Sequence, residues 1–211
     1  NWGYDPELYF NVEGSYSINP HNPKSRIYEL KKMVQTIHKN KINIIMDVVF
    51  NHTFKTADSN LEILAPGYYY RSNKDGNFSN GSGVGNELAS EKAFVRKLII
   101  DSLKFWVEEY DIDGFRFDLM ALIDIDTIKI ALKELKKIKP HLIIYGEPWM
   151  GGESTLALEK QILIGSQRSN GFSVFNDKFR DAIKGDNNGY SKGYIQGNYF
   201  LKNQIETGIA G

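Results

Sequence analysis

The chain has 211 residues, with Lys+Arg and Asp+Glu balanced at 26 each and 41% hydrophobic residues. This is a globular composition with enough apolar material for a sizeable core. Zero net charge and no basic block argue against nucleic acid as a partner, and no apolar run reaches membrane-spanning length. With no cysteine, disulfides and thiolate metal sites are excluded, and the compartment, cytoplasmic or secreted, stays undefined.

Residues 1–24 are rich in turn formers with aromatics between them, as in Asn1-Trp2-Gly3-Tyr4-Asp5-Pro6 and Glu13-Gly14-Ser15-Tyr16. Such a loop suits the lining of a cleft. Ser25 is placed to cap a helix running to about Asn40, with Ile27, Leu30, Val34 and Ile37 on one face and His38 solvated. Ile42 to Phe50 is a nearly unbroken apolar run that suits a parallel strand buried on both faces. It contains Asp47 and leads into Asn51 and His52. A capped turn with a satisfied His competes there with metal ligation by Asp47 and His52, which lacks a further nearby His.

Residues 53–86 form a long excursion whose tyrosines, Tyr68 to Tyr70, argue against disorder. Its glycines lack the Lys-Ser/Thr of a phosphate-binding loop. Ser90 can cap the next helix, in which Val95, Ile99, Leu103, Trp106 and Tyr110 make a buried stripe. Gly114 to Asp118 reads as a short strand with Arg116 and Asp118 on one face and Phe115 and Phe117 on the other. A helix over Asp124 to Lys139 stops before Pro140, and a strand over His141 to Gly146 ends in Glu147-Pro148-Trp149. Glu153 to about Ile164 reads as a helix, Gly171 to Phe175 as a fourth strand, and the remainder as a polar, Gly-rich end.

Strands alternating with helices predict a parallel sheet with right-handed crossovers. Asp118 and Glu147 are 29 positions apart, about one βαβ unit, so the two carboxylates end adjacent strands on the same edge. Carboxylates at successive strand ends fit a (β/α)8 barrel. An open doubly wound sheet would want a glycine fingerprint, which is absent. Arg116 beside Asp118 either fixes the strand as a buried ion pair or keeps a nucleophile ionised. Glu147 is either a salt-bridged loop residue or a general acid raised by an apolar setting. The second pair of readings predicts retaining glycoside hydrolysis, with carboxyl groups about 5–5.5 Å apart.

Asp47-Val48-Val49-Phe50-Asn51-His52, Gly114-Phe115-Arg116-Phe117-Asp118 and Gly146-Glu147-Pro148-Trp149 resemble the first three conserved regions of the alpha-amylase superfamily. The opening motif, together with Gly81-Ser82-Gly83-Val84-Gly85-Asn86 and Phe175-Asn176-Asp177-Lys178-Phe179-Arg180-Asp181, is similar to type I pullulanases. The resemblance implies a retaining hydrolase of α-1,6 links in pullulan, glycogen or limit dextrins. It implies Asp118 as nucleophile, Glu147 as acid/base, and Tyr4, Asp47, His52, Arg116 and Trp149 as substrate-site residues. No cofactor is implied as required; Asn51 is a candidate calcium ligand. Val84 stands where pullulanases commonly carry cysteine, which implies a packing swap.

The family's fourth region, a His-Asp pair carrying a third catalytic carboxylate, has no counterpart after His141. The resemblance therefore implies that residues 1–211 are the central part of one (β/α)8 catalytic domain, roughly strands three to six, inactive alone and prone to self-association through its sheet edges. The alternatives are an isoamylase-like or neopullulanase-like hydrolase, or a carbohydrate-binding piece without chemistry.

Overall fold

The computed structural model describes residues 2–210; Asn1 of the opening motif lies outside them. They form two compact units, Asn1–Val174 and Phe175–Gly211. The first holds α1 (Pro23–Lys39), β1 (Ile45–Val48), α2 (Asn60–Leu64), α3 (Ala93–Tyr110), β2 (Gly114–Phe117), α4 (Ile125–Ile138), β3 (Ile143–Gly146) and β4 (Ser173–Val174). The strands form one parallel sheet in the order β1-β2-β3-β4. The sheet is open, with β1 and β4 at its edges. Among the described residues no helix is long and apolar enough to cross a membrane.

Register divides the sheet into two faces. Met46, Phe115 and Ile144 share one row and Val48, Phe117 and Gly146 the next. This face lies under α3 and α4, with Phe115, Phe117, Val95, Ile99, Leu103, Ile128 and Leu135 fully buried. The opposite face carries Ile45, Asp47, Arg116, Ile143 and Tyr145 and stays open, Ile143 being 48% exposed. The strand expected over residues 42–50 forms as β1 and is covered by helices on one face only.

Helix starts depart from the reading in two places. Asn22, not Ser25, caps α1, its side chain accepting from Lys24 N with Pro23 in the first turn. Lys92 precedes α3 without a side-chain cap, because Ser90 is used elsewhere: its hydroxyl accepts from Asp124 N. The stripe expected on α3 is buried throughout. Asp124 caps α4 through Thr127 N. Residues 153–164 form no α-helix, only the 3-10 turn Leu158–Lys160.

The second unit contains α5 (Asp177–Lys184) and α6 (Lys202–Ala210), so the polar end is folded. Asn176 caps α5, and Gly208 of α6 lies against the ring of Phe179.

At the N-terminal ends of the strands, Asp113 accepts from Ile44 N at 2.7 Å and pairs with His38 at 2.8 Å and Lys139 at 2.6 Å. His38 is thus a half-buried partner in an ion cluster and not a solvated residue. Burial pushes the Asp113 carboxyl up, but Lys139, the Ile44 N–H and His38 together hold it below the usual range. A depressed carboxylate contributes stability that is present above its unfolded value, about 4, and lost as pH falls through the lower folded value. Asp113→Ala is expected to cost about 1–3 kcal/mol at neutral pH by stranding the Ile44 N–H and leaving Lys139 with Asp111 as its carboxylate partner. It should also flatten the acid limb of stability against pH, as read by urea unfolding.

Candidate active site

Parallel pairing brings the C-terminal ends of β1, β2 and β3 to one rim. The ladder continues one residue past the strands: Asp118 N donates to Val48 O at 3.0 Å and Glu147 N to Phe117 O at 3.1 Å. Side chains alternate across a strand. Asp118, two residues after Arg116, and Glu147, two after Tyr145, therefore rise on the open face. Asp47 lies in the same row as Arg116 and Tyr145.

Arg116 joins all three acids. One guanidinium nitrogen lies 2.8 Å from Asp47 Oδ1 and 3.3 Å from Asp118 Oδ1, and the other bonds Glu147 Oε1. One planar fork spans the ends of three strands. The expected partnership of Arg116 with Asp118 holds, but Asp47 and Glu147 share it. The Asp118 and Glu147 side chains are 16% and 15% exposed and that of Asp47 44%, so the first two form the sheltered pair.

Asp118 is fixed from its other side. The Asn51 side-chain amide donates to Asp118 Oδ2 at 2.8 Å and Asp118 O at 3.0 Å, while Asn51 Oδ1 lies 2.6 Å from His52 Nδ1. Asn51 is fully buried and His52 nearly so. Both ends of the Asn51 amide thus make a hydrogen bond within the site. Among the described residues no group of three or more His, Asp or Glu is placed to hold a metal. Burial lowers the His52 pKa, with the Asp118 charge opposing, so His52 is a neutral hydrogen-bonding group near pH 7.

Tyr4 reaches the same centre. Its hydroxyl donates to Asp47 Oδ2 at 2.7 Å and its ring lies 6.0 Å from the Arg116 guanidinium carbon. The hydrogen bond to Asp47 and partial burial raise its pKa. Trp149 follows β3 and is half-buried. A cavity of about 1010 Å³ opens between residues 3–16 and the free edge of β1. It takes in Asp47 but neither Asp118 nor Glu147, so it is space along the outer edge of β1 and not a pocket over the Asp118–Glu147 pair.

The Glu147 carboxyl sits above the usual range. Burial raises it, the Leu119 N–H and Arg116 pull it down, and the charges of Asp118 and Asp47 push it up again. The Leu119 contact was not foreseen. Its N–H donates to Glu147 Oε2 at 2.9 Å, and the residue is left-handed, with φ 40°. That conformation is uncommon for leucine and carries no sequence signal, since Gly and Asn are its usual occupants. It turns the residue after Asp118 so that its amide meets the second acid. Val84, expected to replace a packed cysteine, is 58% exposed on a loop, so no packing is exchanged there.

Paired carboxylates on neighbouring parallel strand ends, one hydrogen-bonded by an amide and the other with its pKa raised by burial, are the arrangement expected of an α/β glycoside-hydrolase barrel segment. No protein-family model matches the chain. It is 43% identical over 212 residues to the pullulanase of Bacillus subtilis strain 168, covering all of this chain and 30% of that protein. It is 40% identical over 201 residues to the chloroplastic pullulanase 1 of Arabidopsis thaliana, covering 88% of this chain and 20% of that protein. The pullulanase of Paenibacillus barengoltzii, solved with maltohexaose and alpha-cyclodextrin, superposes with a TM-score of 0.95 at 44% identity over all of this chain and 33% of that one. Sequence and fold are similar to a segment of these pullulanases, and the chain spans no more than about a third of the length of each.

Two substitutions test the electrostatics directly. Asp118→Asn should lower the Glu147 titration midpoint by removing a like charge, and Arg116→Gln should raise it by removing the counter-charge. Carbon-13 NMR of labelled glutamate carboxyls reads both, and movement in the opposite directions would show that Arg116 does not set the protonation of Glu147.

Proposed function

We propose that this chain supplies the nucleophile and the acid/base of a retaining glycosidase that opens α-1,6 branch links in pullulan, glycogen and limit dextrins. The observation that supports it most is the bridge of Arg116 to Asp118 and Glu147 at adjacent strand ends, with Glu147 raised by burial. In the first half-reaction Asp118 attacks the anomeric carbon while Glu147 protonates the leaving glycosidic oxygen, giving a glucosyl ester on Asp118 and a free 6-hydroxyl. In the second, Glu147 takes a proton from water, which displaces Asp118 and restores the original anomeric configuration.

The remaining residues bind and position. Asn51 holds Asp118 with a carboxylate oxygen turned toward the sugar. His52, Tyr4 and Asp47 line the subsite of the sugar under attack, Tyr4 offering its ring and Trp149 a wall. Every step uses side chains and water. The complexes of related pullulanases with maltooligosaccharides support an α-glucan as the ligand. Both compact units are read as parts of one (β/α)8 domain, with a third carboxylate supplied by sequence outside this chain.

Asp118→Asn in the full-length protein carrying this chain should abolish most pullulan hydrolysis while leaving maltooligosaccharide binding within a few-fold. Glu147→Gln should lower kcat about 10²–10⁴-fold. Normal turnover by either variant refutes the assignment. The isolated 211-residue chain should hydrolyse no pullulan and should associate with rising concentration through the open edges of β1 and β4. A cooperatively unfolding monomer on gel filtration would overturn the second expectation.

A further inference from the structure

The excursion of residues 53–90 contains buried charge that the chemistry above leaves unused. Glu87 is fully buried and Arg71 is 4% exposed, yet both lie outside the carboxylate cluster. Their side chains approach to 3.6 Å. Each also reaches a different segment of the candidate site.

Arg71 reaches the segment after Asp118. One guanidinium nitrogen donates to Leu122 O at 2.9 Å, and the other donates to Ser90 Oγ at 3.1 Å and pairs with Glu91 at 2.7 Å. Ser90 Oγ in turn accepts from Asp124 N. Glu87 reaches the segment after Glu147. Its Oε1 accepts from Ser154 Oγ at 2.8 Å and its Oε2 from Gly81 N at 2.7 Å. Gly81 O accepts from both Gly151 N and Gly152 N at 2.9 Å. These are close backbone contacts that only glycine permits. A Cβ on Gly81 would meet Glu87 Oε2 at 2.1 Å, and one on Gly151 would meet Ser82 O at 2.3 Å.

The motif Gly81 to Asn86 is therefore a splint and not a phosphate cradle. Asn86 continues it, accepting from Thr53 N at 3.0 Å and donating to Thr53 O at 2.8 Å, one residue beyond His52. Leu88 N donates to Asn51 O at 2.9 Å. All three strand-end segments of the site are tied to one short stretch.

We propose that the Arg71–Glu87 pair is a buried strut that fixes the spacing between the Asp118 and Glu147 segments, making Glu87 and Arg71 positioning residues for the two-carboxylate chemistry. The inference rests on the functional reading of Asp118 and Glu147 given above. A retaining mechanism tolerates little change in the separation of its two acids, and misplacement by about 1 Å can cost about 100-fold in rate. Strand pairing fixes the Cα positions of the two acids, while the segments that follow set how their side chains are held.

The test uses the full-length protein. Removing Arg71 or Glu87 outright leaves its partner buried and uncompensated, so the informative variant is Ser154→Ala, which keeps the ion pair and cuts its direct side-chain link to the Glu147 segment, leaving the one through Gly81. Gly81→Ala is a second variant, which forces the other link, through Gly81, open by crowding Glu87. Both should lower kcat on pullulan about tenfold or more, with KM within about twofold. Both should speed hydrogen exchange at the Gly151 and Gly152 amides without changing α3 or α4. Faster exchange with unchanged kcat would overturn the proposal and leave the strut a purely structural tie. Unchanged exchange would overturn it by showing that the link does not hold the segment. Absence of hydrolysis by the unmodified protein is seen before any variant is made and defeats the functional reading itself.

Discussion

Three carboxylates sharing one guanidinium is the interaction on which the rest depends. It follows from register: the pairing Asp47 to Arg116 and Arg116 to Tyr145 places the arginine in the middle of a row, and alternation adds Asp118 and Glu147 just beyond it. One positive charge cannot balance three negative ones. Two unit charges 4 Å apart at an effective dielectric of 20 interact by about 4 kcal/mol, enough to favour a proton on one acid. Glu147 is the acid whose pKa is raised, because burial and the charges of Asp118 and Asp47 outweigh the Leu119 N–H and Arg116. Asp118 is instead met by the Asn51 amide. Glu147 and Asp118 thus differ through their surroundings, although both are carboxylates at matching strand positions.

The two ends of the sheet are built for different tasks. At the N-terminal ends, Asp113 is satisfied by a backbone amide, a histidine and a lysine, so every strong acceptor has a donor. At the C-terminal ends three acids, Asp47, Asp118 and Glu147, share one arginine, so acids outnumber bases. This division between a stabilising rim and a reactive rim is the rule for parallel barrels. The shared floor is apolar: Phe115 and Phe117 under α3 and α4 anchor the strand that carries Arg116 at its centre.

What was legible in the sequence is what periodicity and spacing encode. The stripe from Val95 to Tyr110 marks a long buried helix, and the interval from Asp118 to Glu147 marks one crossover, which the register of β2 and β3 bears out. Helix starts were harder, because Ser90 is as good a cap as Asn22 until tertiary contacts claim its hydroxyl. The supposed helix over 153–164 failed for a related reason. Ser154 is drawn to Glu87, Thr155 N to Ser79 Oγ, and Leu156 and Ile162 are buried, so side-chain and loop contacts replaced the helical ladder. The contact of the Leu119 amide with Glu147 was invisible, since left-handed backbone at a leucine is imposed by its surroundings and not by its identity.

A buried ion pair is weak grounds for stability. Desolvating two charges costs several kcal/mol each, and apolar replacements of similar size are often as stable. Arg71 and Glu87 are satisfied beyond each other, by Leu122 O, Ser90 and Glu91 on one side and by Ser154 and Gly81 on the other. Those further bonds are directional, whereas hydrophobic contact is not. An apolar pair in their place could fill the same volume but would not dictate where the Leu122 and Ser154 segments lie relative to one another. Directionality is what a site built from separate strand ends requires, because strand pairing aligns the backbones yet leaves the following turns free to drift. Charge in the interior, costly by solvation alone, is thus consistent with the positioning role proposed for this pair.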